Sequence, residues 1–171
     1  MADASPARDV FVTGLKNAHA MENQALSIMR PQVERLEHYP EMKAMLRSHI
    51  AETETQIQRL DQILGGVGES ASAIKDAALS AVGGMAPLGH AAAGDEVLKN
   101  AFANHAFENL EIAAYVSLVT SARLGAETAA VALLEQSLDQ ERRMARWIAE
   151  TLPAVTETYI ALRAQGGTAK V

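Results

Sequence analysis

Val97 to Leu124 reads VLKNAFANHAFENLEIAAYVSLVTSARL, and this stretch decides the fold. At about 100° per residue, Val97, Ala101, His105, Glu108, Ile112, Tyr115, Val119 and Ala122 share one side of a helix, with Glu111 close beside them. Glu108 and Glu111 therefore point where a core Leu belongs. An unpaired buried charge costs several kcal/mol or more. Each of these acids needs a cation, a hydrogen-bond network or a proton, and the rest of the chain has to supply it.

Working outward, Gly125 marks the end of this helix, and a further helix occupies about 126–152. Its inward positions are Val131, Leu134, Leu138, Glu141, Ala145, Ile148 and Leu152, again with a single acid, Glu141, on the apolar face. Pro153 is expected to break or bend the chain. VTETYIALRA after it has the character of a short fifth helix, and residues 165–171, QGGTAKV, that of a loose tail. Toward the amino end, Ser5-Pro6 has the form of an N-cap with proline at the first helical position. A first helix of about 5–37 carries Phe11, Leu15, Ala18, Glu22, Met29 and Val33 on its inward stripe, and the apolar period continues past Pro31. Gly14 fits close helix packing. Tyr39-Pro40 reverses the chain into a second helix, about 40–64, whose stripe is interrupted at mid-helix by His49, Glu52, Thr53 and Gln56. Residues 65–95 form the remaining connection, rich in Gly, Ala and Ser, with room for one short helix at 70–82. About 30 residues far exceeds the ordinary link between antiparallel helices and is enough to run the length of a bundle.

The pattern is all-α, two helical hairpins joined by one long crossover, read as a single domain over 1–171. A chain of 171 residues with net charge −6 and no cysteine excludes disulfides, thiolate metal sites and a cysteine nucleophile. It also argues against nucleic acid as a partner, since phosphate contacts need a basic face; Arg142, Arg143 and Arg146 read as a solvated helix face. No run of about 18 apolar residues is present, and MADASPARDV has no apolar signal core. A cytoplasmic protein without membrane attachment is the expectation.

The turns set the depth of each acid. A reversal near His38 brings Glu22 level with Glu52 and Gln56, and a reversal near Gly125 puts Glu108 and Glu111 on either side of Glu141. Glu22, Glu52, Glu108, Glu111 and Glu141, five carboxylates, thus converge midway along four helices, with His49 one turn from Glu52. So many anions cannot share a buried volume without cations. Two divalent iron or manganese ions, bridged by carboxylates and completed by an imidazole, meet that need. Tyr115 is expected to pack with its hydroxyl on a site carboxylate; Gln56 and His19 are candidate neighbours of the site. Trp147 lies off the core stripe, where a subunit contact would fit.

RDVF at 8–11, HIAETETQIQRLDQI at 49–63, ENLEIAAY at 108–115 and LLEQSLDQE at 133–141 carry a family resemblance over about residues 5 to 150. The chain resembles the ferritin-like superfamily and, within it, the YciE/YciF-like bacterial stress proteins. The resemblance implies an antiparallel four-helix bundle with a di-iron carboxylate centre, a homodimer, and metal ligation by Glu22, His49, Glu52, Glu108, Glu111 and Glu141. Glu54 and Asn109 stand where that branch carries His, and periodicity turns both away from the core. The Glu-x-x-His motif of typical di-iron bundles is absent, with Thr55 and Met144 in the imidazole positions. Two readings stay open at this point. One is a protein whose iron reacts with O2 or peroxide, with oxidase- or peroxidase-like turnover; the other is a non-catalytic stress or structural protein whose metal staples the bundle.

Overall fold

The computed structural model describes residues 5–69 and 90–171. Among them four helices make the fold: α1 (Pro6–Arg35), α2 (Pro40–Gly66), α3 (Glu96–Leu124) and α4 (Thr128–Ala164), with a 3-10 turn at His90–Ala92. The fold is an all-α four-helix bundle. No described residue lies in a strand, and no described helix is long and apolar enough to cross a membrane. The short helix expected at 70–82 lies outside the described residues.

Local chemistry sets the ends. Ser5 caps α1, its hydroxyl accepting from the Arg8 amide at 3.3 Å, and Pro6 occupies the first turn, where its missing N–H costs nothing. Between α3 and α4 the left-handed conformation falls on Ala126 (φ 60°) and not on Gly125. Gly125 is there for space: a Cβ on it would lie 3.1 Å from the Ser121 carbonyl and 3.6 Å from the Arg8 amide. Gly14 likewise admits Leu118, whose Cδ2 would sit 2.9 Å from an added Cβ.

Cross-links show that neighbouring helices run antiparallel. Gln32 and Asn104 exchange buried amide hydrogen bonds between α1 and α3 at 3.1 and 2.8 Å, while Arg8 reaches Glu127 beyond the other end of α3 at 3.1 Å. Arg143 on α4 reaches Glu52 on α2, and Arg59, further along α2, reaches back to Ser137.

Two features differ from expectation. α4 does not stop or restart at Pro153 but continues to Ala164. Its last turns have something to pack on: Val155 is buried, Tyr159 and Leu162 lie against the core, and the Tyr159 hydroxyl donates to the Gly94 carbonyl at 3.2 Å. Tertiary packing offsets the hydrogen bond that proline removes. The carboxyl-terminal segment is docked and not loose. The Tyr39 hydroxyl donates to the Ala169 carbonyl at 2.7 Å, the Val97 amide to the Lys170 carbonyl at 2.8 Å, and the His38 amide to the Val171 carbonyl at 3.3 Å.

The apolar core is in two pieces. One joins Phe11, Leu15, Leu60, Leu64, Leu118 and Leu134, and the other Met29, Val33, Leu46, Val97, Met144 and Ile148. On every helix the gap between the two is filled by polar side chains.

A further buried acid lies outside that gap. Glu96, fully buried at the start of α3, accepts from Arg35 Nε at 2.7 Å, with Lys170 Nζ at 3.8 Å. Removing one partner of a buried pair leaves the other charge uncompensated. Arg35→Met is expected to lower stability by about 2 kcal/mol, read as a drop of several degrees in Tm. Adding Glu96→Gln should recover most of it, and a double variant as unstable as the single would remove the pair from the account.

Candidate metal centre

The layer between the two apolar clusters is built from one to three residues per helix. α1 contributes Glu22, between Ala18 and Ala25; α2 contributes His49, Thr53 and Gln56, between Leu46 and Leu60; α3 contributes Glu108 and Glu111; α4 contributes Glu141. All are buried. Each is placed by the helical period alone, one turn from a core residue on the same stripe.

His49, Glu108, Glu111 and Glu141 each offer a ligand atom, and these atoms all lie within 4.8 Å of one another. His49 Nε2 stands 3.3 Å from a Glu108 oxygen and 3.4 Å from a Glu141 oxygen. Tethers from the sides hold two of the acids. The Tyr115 hydroxyl donates to Glu22 at 2.5 Å, as its position one turn beyond Glu111 led us to expect. Gln56 donates to Glu141, and the Gln56 amide is itself met by Gln140, which accepts from Arg59 at 2.6 Å.

Donors then run out. Glu22 Oε2, His49 Nε2, Glu108 Oε2, Glu141 Oε2 and both oxygens of Glu111 are buried with no hydrogen-bond partner. Proton affinities respond accordingly. Burial, reinforced by the Glu141 charge, pushes the Glu22 carboxyl well above its usual range; burial and the Glu22 charge do the same to Glu111. Glu108 is pushed up to about 8 by burial, in spite of the opposing pull of His49. Burial alone would lower the His49 pKa, but the surrounding carboxylates Glu108, Glu141 and Glu52 outweigh it and hold the ring cationic. A buried group of one imidazole and several carboxylates, short of donors, is chemically a site that could hold a metal ion.

Residues 6–161 match the family described as a domain of unknown function, DUF892. The chain belongs to that family. It is also similar to a protein of Xanthomonas campestris pv. campestris whose crystal structure is 32% identical in sequence, covering 93% of this chain and 99% of that one with a TM-score of 0.76.

Within this DUF892 chain the structure sorts the residues singled out from sequence. Glu22, His49, Glu108, Glu111 and Glu141 share the layer. Glu52 stands at its rim: its side chain is 32% exposed, one oxygen lies 3.3 Å from His49 Nδ1, and the other accepts from Arg143 at 3.1 Å. Hydrogen bonding to His49, against a smaller burial penalty, holds the Glu52 carboxyl below its usual value. His19 faces away, 3.1 Å from Asp61. Glu54 and Asn109 are exposed, as periodicity required. Thr55 is exposed and Met144 packs in the core, so neither imidazole position of the usual motif is replaced by another ligand. Sequence reasoning missed the rim cation on Glu52, because Arg143 lies off the inward arc of α4 and reaches the acid with its long side chain.

These proton affinities fix the pH dependence of the metal-free chain. Glu108 has a folded pKa of about 8 against an ordinary 4.5, and Glu22 and Glu111 are displaced the same way. Folded protein thus binds more protons than unfolded, and stability falls as pH rises from about 4.5 towards 8. His49 adds to this slope above pH 6.5, since its raised pKa gives stability that is complete below 6.5 and is lost progressively as pH rises beyond it. Calorimetry on chelator-stripped protein should show a Tm at pH 8 lower than at pH 5.5 by on the order of 5–10 °C, and Glu108→Gln should flatten the difference. A metal-free protein more stable at pH 8 would mean that these carboxyls are solvated.

Proposed function

We propose that this chain is a ferritin-like carboxylate protein of the YciE/YciF-like branch, holding two iron ions, with manganese as the alternative metal, and reacting with O2 or peroxide. The observation that supports it is the set of buried carboxylate oxygens on Glu22, Glu108, Glu111 and Glu141 without a partner of hydrogen-bond geometry, gathered about His49. Divalent cations of intermediate hardness suit one imidazole with several carboxylates. Two ferrous ions bound there would supply the electrons that reduce O2 or peroxide, an external reductant restoring them.

The chain's own residues have distinct parts. Glu108 and Glu111 have free oxygens and can change how they bind; Glu22 and Glu141 are held by Tyr115 and Gln56. His49 presents Nε2 to the layer. Glu52, given a ligand role by the sequence pattern, is better suited to accepting from His49 Nδ1 and so fixing the ring, with Arg143 holding the acid in turn. The apolar clusters above and below exclude water from the layer.

The missing second and third imidazoles favour a second reading, in which the metal staples the bundle without turnover. Both readings require metal. Protein purified without chelators should contain two metal ions per chain; Glu108→Ala should retain fewer, and Glu52→Ala should bind about 10–100-fold more weakly. Chelation should lower Tm by about 10 °C at metal concentrations well above Kd. Anaerobic Fe(II) loading followed by peroxide should develop ferric absorption under the first reading. A blank spectrum with iron bound leaves only the stapling role, and a Glu108→Ala variant with two metals would displace the site.

A further inference from the structure

Along the seam between α2 and α4 the layer comes within one side chain of the surface. Glu52, Gln56 and Arg59 recur on one side of α2, and Ser137, Gln140 and Arg143 on the side of α4 that meets it. They pair in antiparallel order. Arg143 donates to Glu52 at 3.1 Å, the Gln56 amide donates to Gln140 at 3.2 Å, and Arg59 donates to Ser137 at 3.2 Å and to Gln140 at 2.6 Å. Two residues of the layer end on this polar row. His49 meets it through Glu52, which lies 3.3 Å from its Nδ1, and Glu141 meets it through Gln56. The outer members are open to solvent, Glu52 at 32% exposure and Arg143 at 58%. Elsewhere round the layer, Met21, Ile50 and Ile112 are half-buried and pack on the apolar clusters, and the half-buried His105 ring lies 3.1 Å from the Ala145 carbonyl.

We infer that this seam is the way into the layer for divalent cations, with the Glu52 carboxylate as the outer stop and the Gln56 carbonyl oxygen as the inner one; the inference rests on the metal reading given above. Gln56 carries the argument. Both groups that meet its amide nitrogen, Glu141 and Gln140, present acceptor oxygens, so the nitrogen faces them and the carbonyl oxygen Oε1 is left buried with no donor. Gln140 does not turn to supply one, because Arg59 holds its oxygen on this side. A buried acceptor left without a donor is costly. Leu at this position would avoid that cost and join Leu46 and Leu60, which lie on the same buried stripe. What the oxygen offers is a neutral, hard ligand, suited to a divalent cation and, alone, too weak to retain it. Moving a bare charge across an apolar wall is prohibitive. A file of oxygens from Glu52 through Gln56 to Glu141, whose Oε2 is also without a partner, removes that barrier in steps.

The two arginines of the seam have different work. Arg143 lies over a carboxylate, on the Glu52 oxygen that faces away from His49, and so occupies the first oxygen that a cation from solvent would need. Its hold is weak. Exposed ion pairs contribute little and exposed side chains change rotamer on the order of nanoseconds or faster, so Arg143 is exchangeable for another cation. Arg59 bonds neutral groups, Ser137 and Gln140, and has no charge to give up. It fixes Gln140 and, through it, the orientation of Gln56.

Stopped-flow mixing of the chelator-stripped full chain with Co(II), followed in the visible bands of the bound ion, gives the association rate, and a chase with excess chelator gives dissociation. Gln140→Leu, which places an apolar group across the seam, should slow both by at least about 10-fold. Because it alters the path and not the finished site, its Kd should stay within about threefold of wild type and its saturated Co(II) spectrum should be unchanged. Arg143→Gln should speed association by about 3–10-fold; an arginine that only positioned Glu52 would, on removal, speed dissociation without raising the association rate. His105→Leu, which closes the α3 side of the layer instead, should leave both rates as they are. Seam variants that take up Co(II) at the wild-type rate, or slowing by His105→Leu in their place, would overturn the seam while leaving the metal reading intact. A wild type that takes up no Co(II) would overturn the metal reading, and the seam with it.

Discussion

The bundle is organised by one constraint: a layer of carboxylates crosses its interior with too few hydrogen-bond donors to satisfy it. Glu22, Glu108, Glu111 and Glu141 are all buried there, while the hydrogen bonds that reach them come from Tyr115 and Gln56, and the His49 ring stands 3.3 and 3.4 Å from Glu108 and Glu141. The layer divides the apolar core into two clusters. Neither the helices nor their turns need it for folding, since Leu at any of these positions would join the clusters and bury more apolar surface. What the layer adds is affinity for positive charge. Without metal that charge is a proton, which is why burial drives the carboxyl pKa values upward; with metal it is the cation itself.

Within the layer, restraint is uneven. Glu141 is held through Gln56, then Gln140 and Arg59, a chain that ends at the surface. Glu22 is held by Tyr115, which stands on the neighbouring helix α3. Glu111 has neither oxygen bonded. A site built this way keeps its walls fixed by side-chain contacts while leaving one carboxylate free to follow the charge it meets. Rigidity in the supporting residues and freedom in one acid are compatible because the tethers come from α2, α3 and α4, and none of them bonds Glu111.

Much of this was legible from the residues. A period near 3.6 with an acid at the centre of each stripe is a strong signal, since a Glu on an apolar arc must be buried wherever the helix packs. Counting residues back from each turn then gave the common level. Glu52 was less legible: it lies beside the arc rather than on it, so its exposure depended on how α2 is rotated against α4, which only packing fixes. The course of α4 through Pro153 was hidden for a related reason, as Val155, Tyr159 and Leu162 stabilise the helix through contacts with distant parts of the chain. QGGTAKV has no period at all. Its docking rests on backbone groups meeting Tyr39, His38 and Val97, and those pairings leave no trace in the pattern of side chains.

α3 shows how far function can invert a helix without unfolding it. In an ordinary surface helix the acids face water and the large apolar groups face the core. Here Glu108 and Glu111 face inward while Phe102, Leu110, Val116 and Leu124 face outward. Each half of the inversion is unfavourable in an isolated, metal-free monomer, the first through desolvation and like-charge repulsion, the second through exposed apolar area. Neither defect is offset by the other, because charges in the layer do not cover a surface and a covered surface does not neutralise a charge. The inward acids are answered by positive charge, a proton or a cation, while the outward groups lie in solvent.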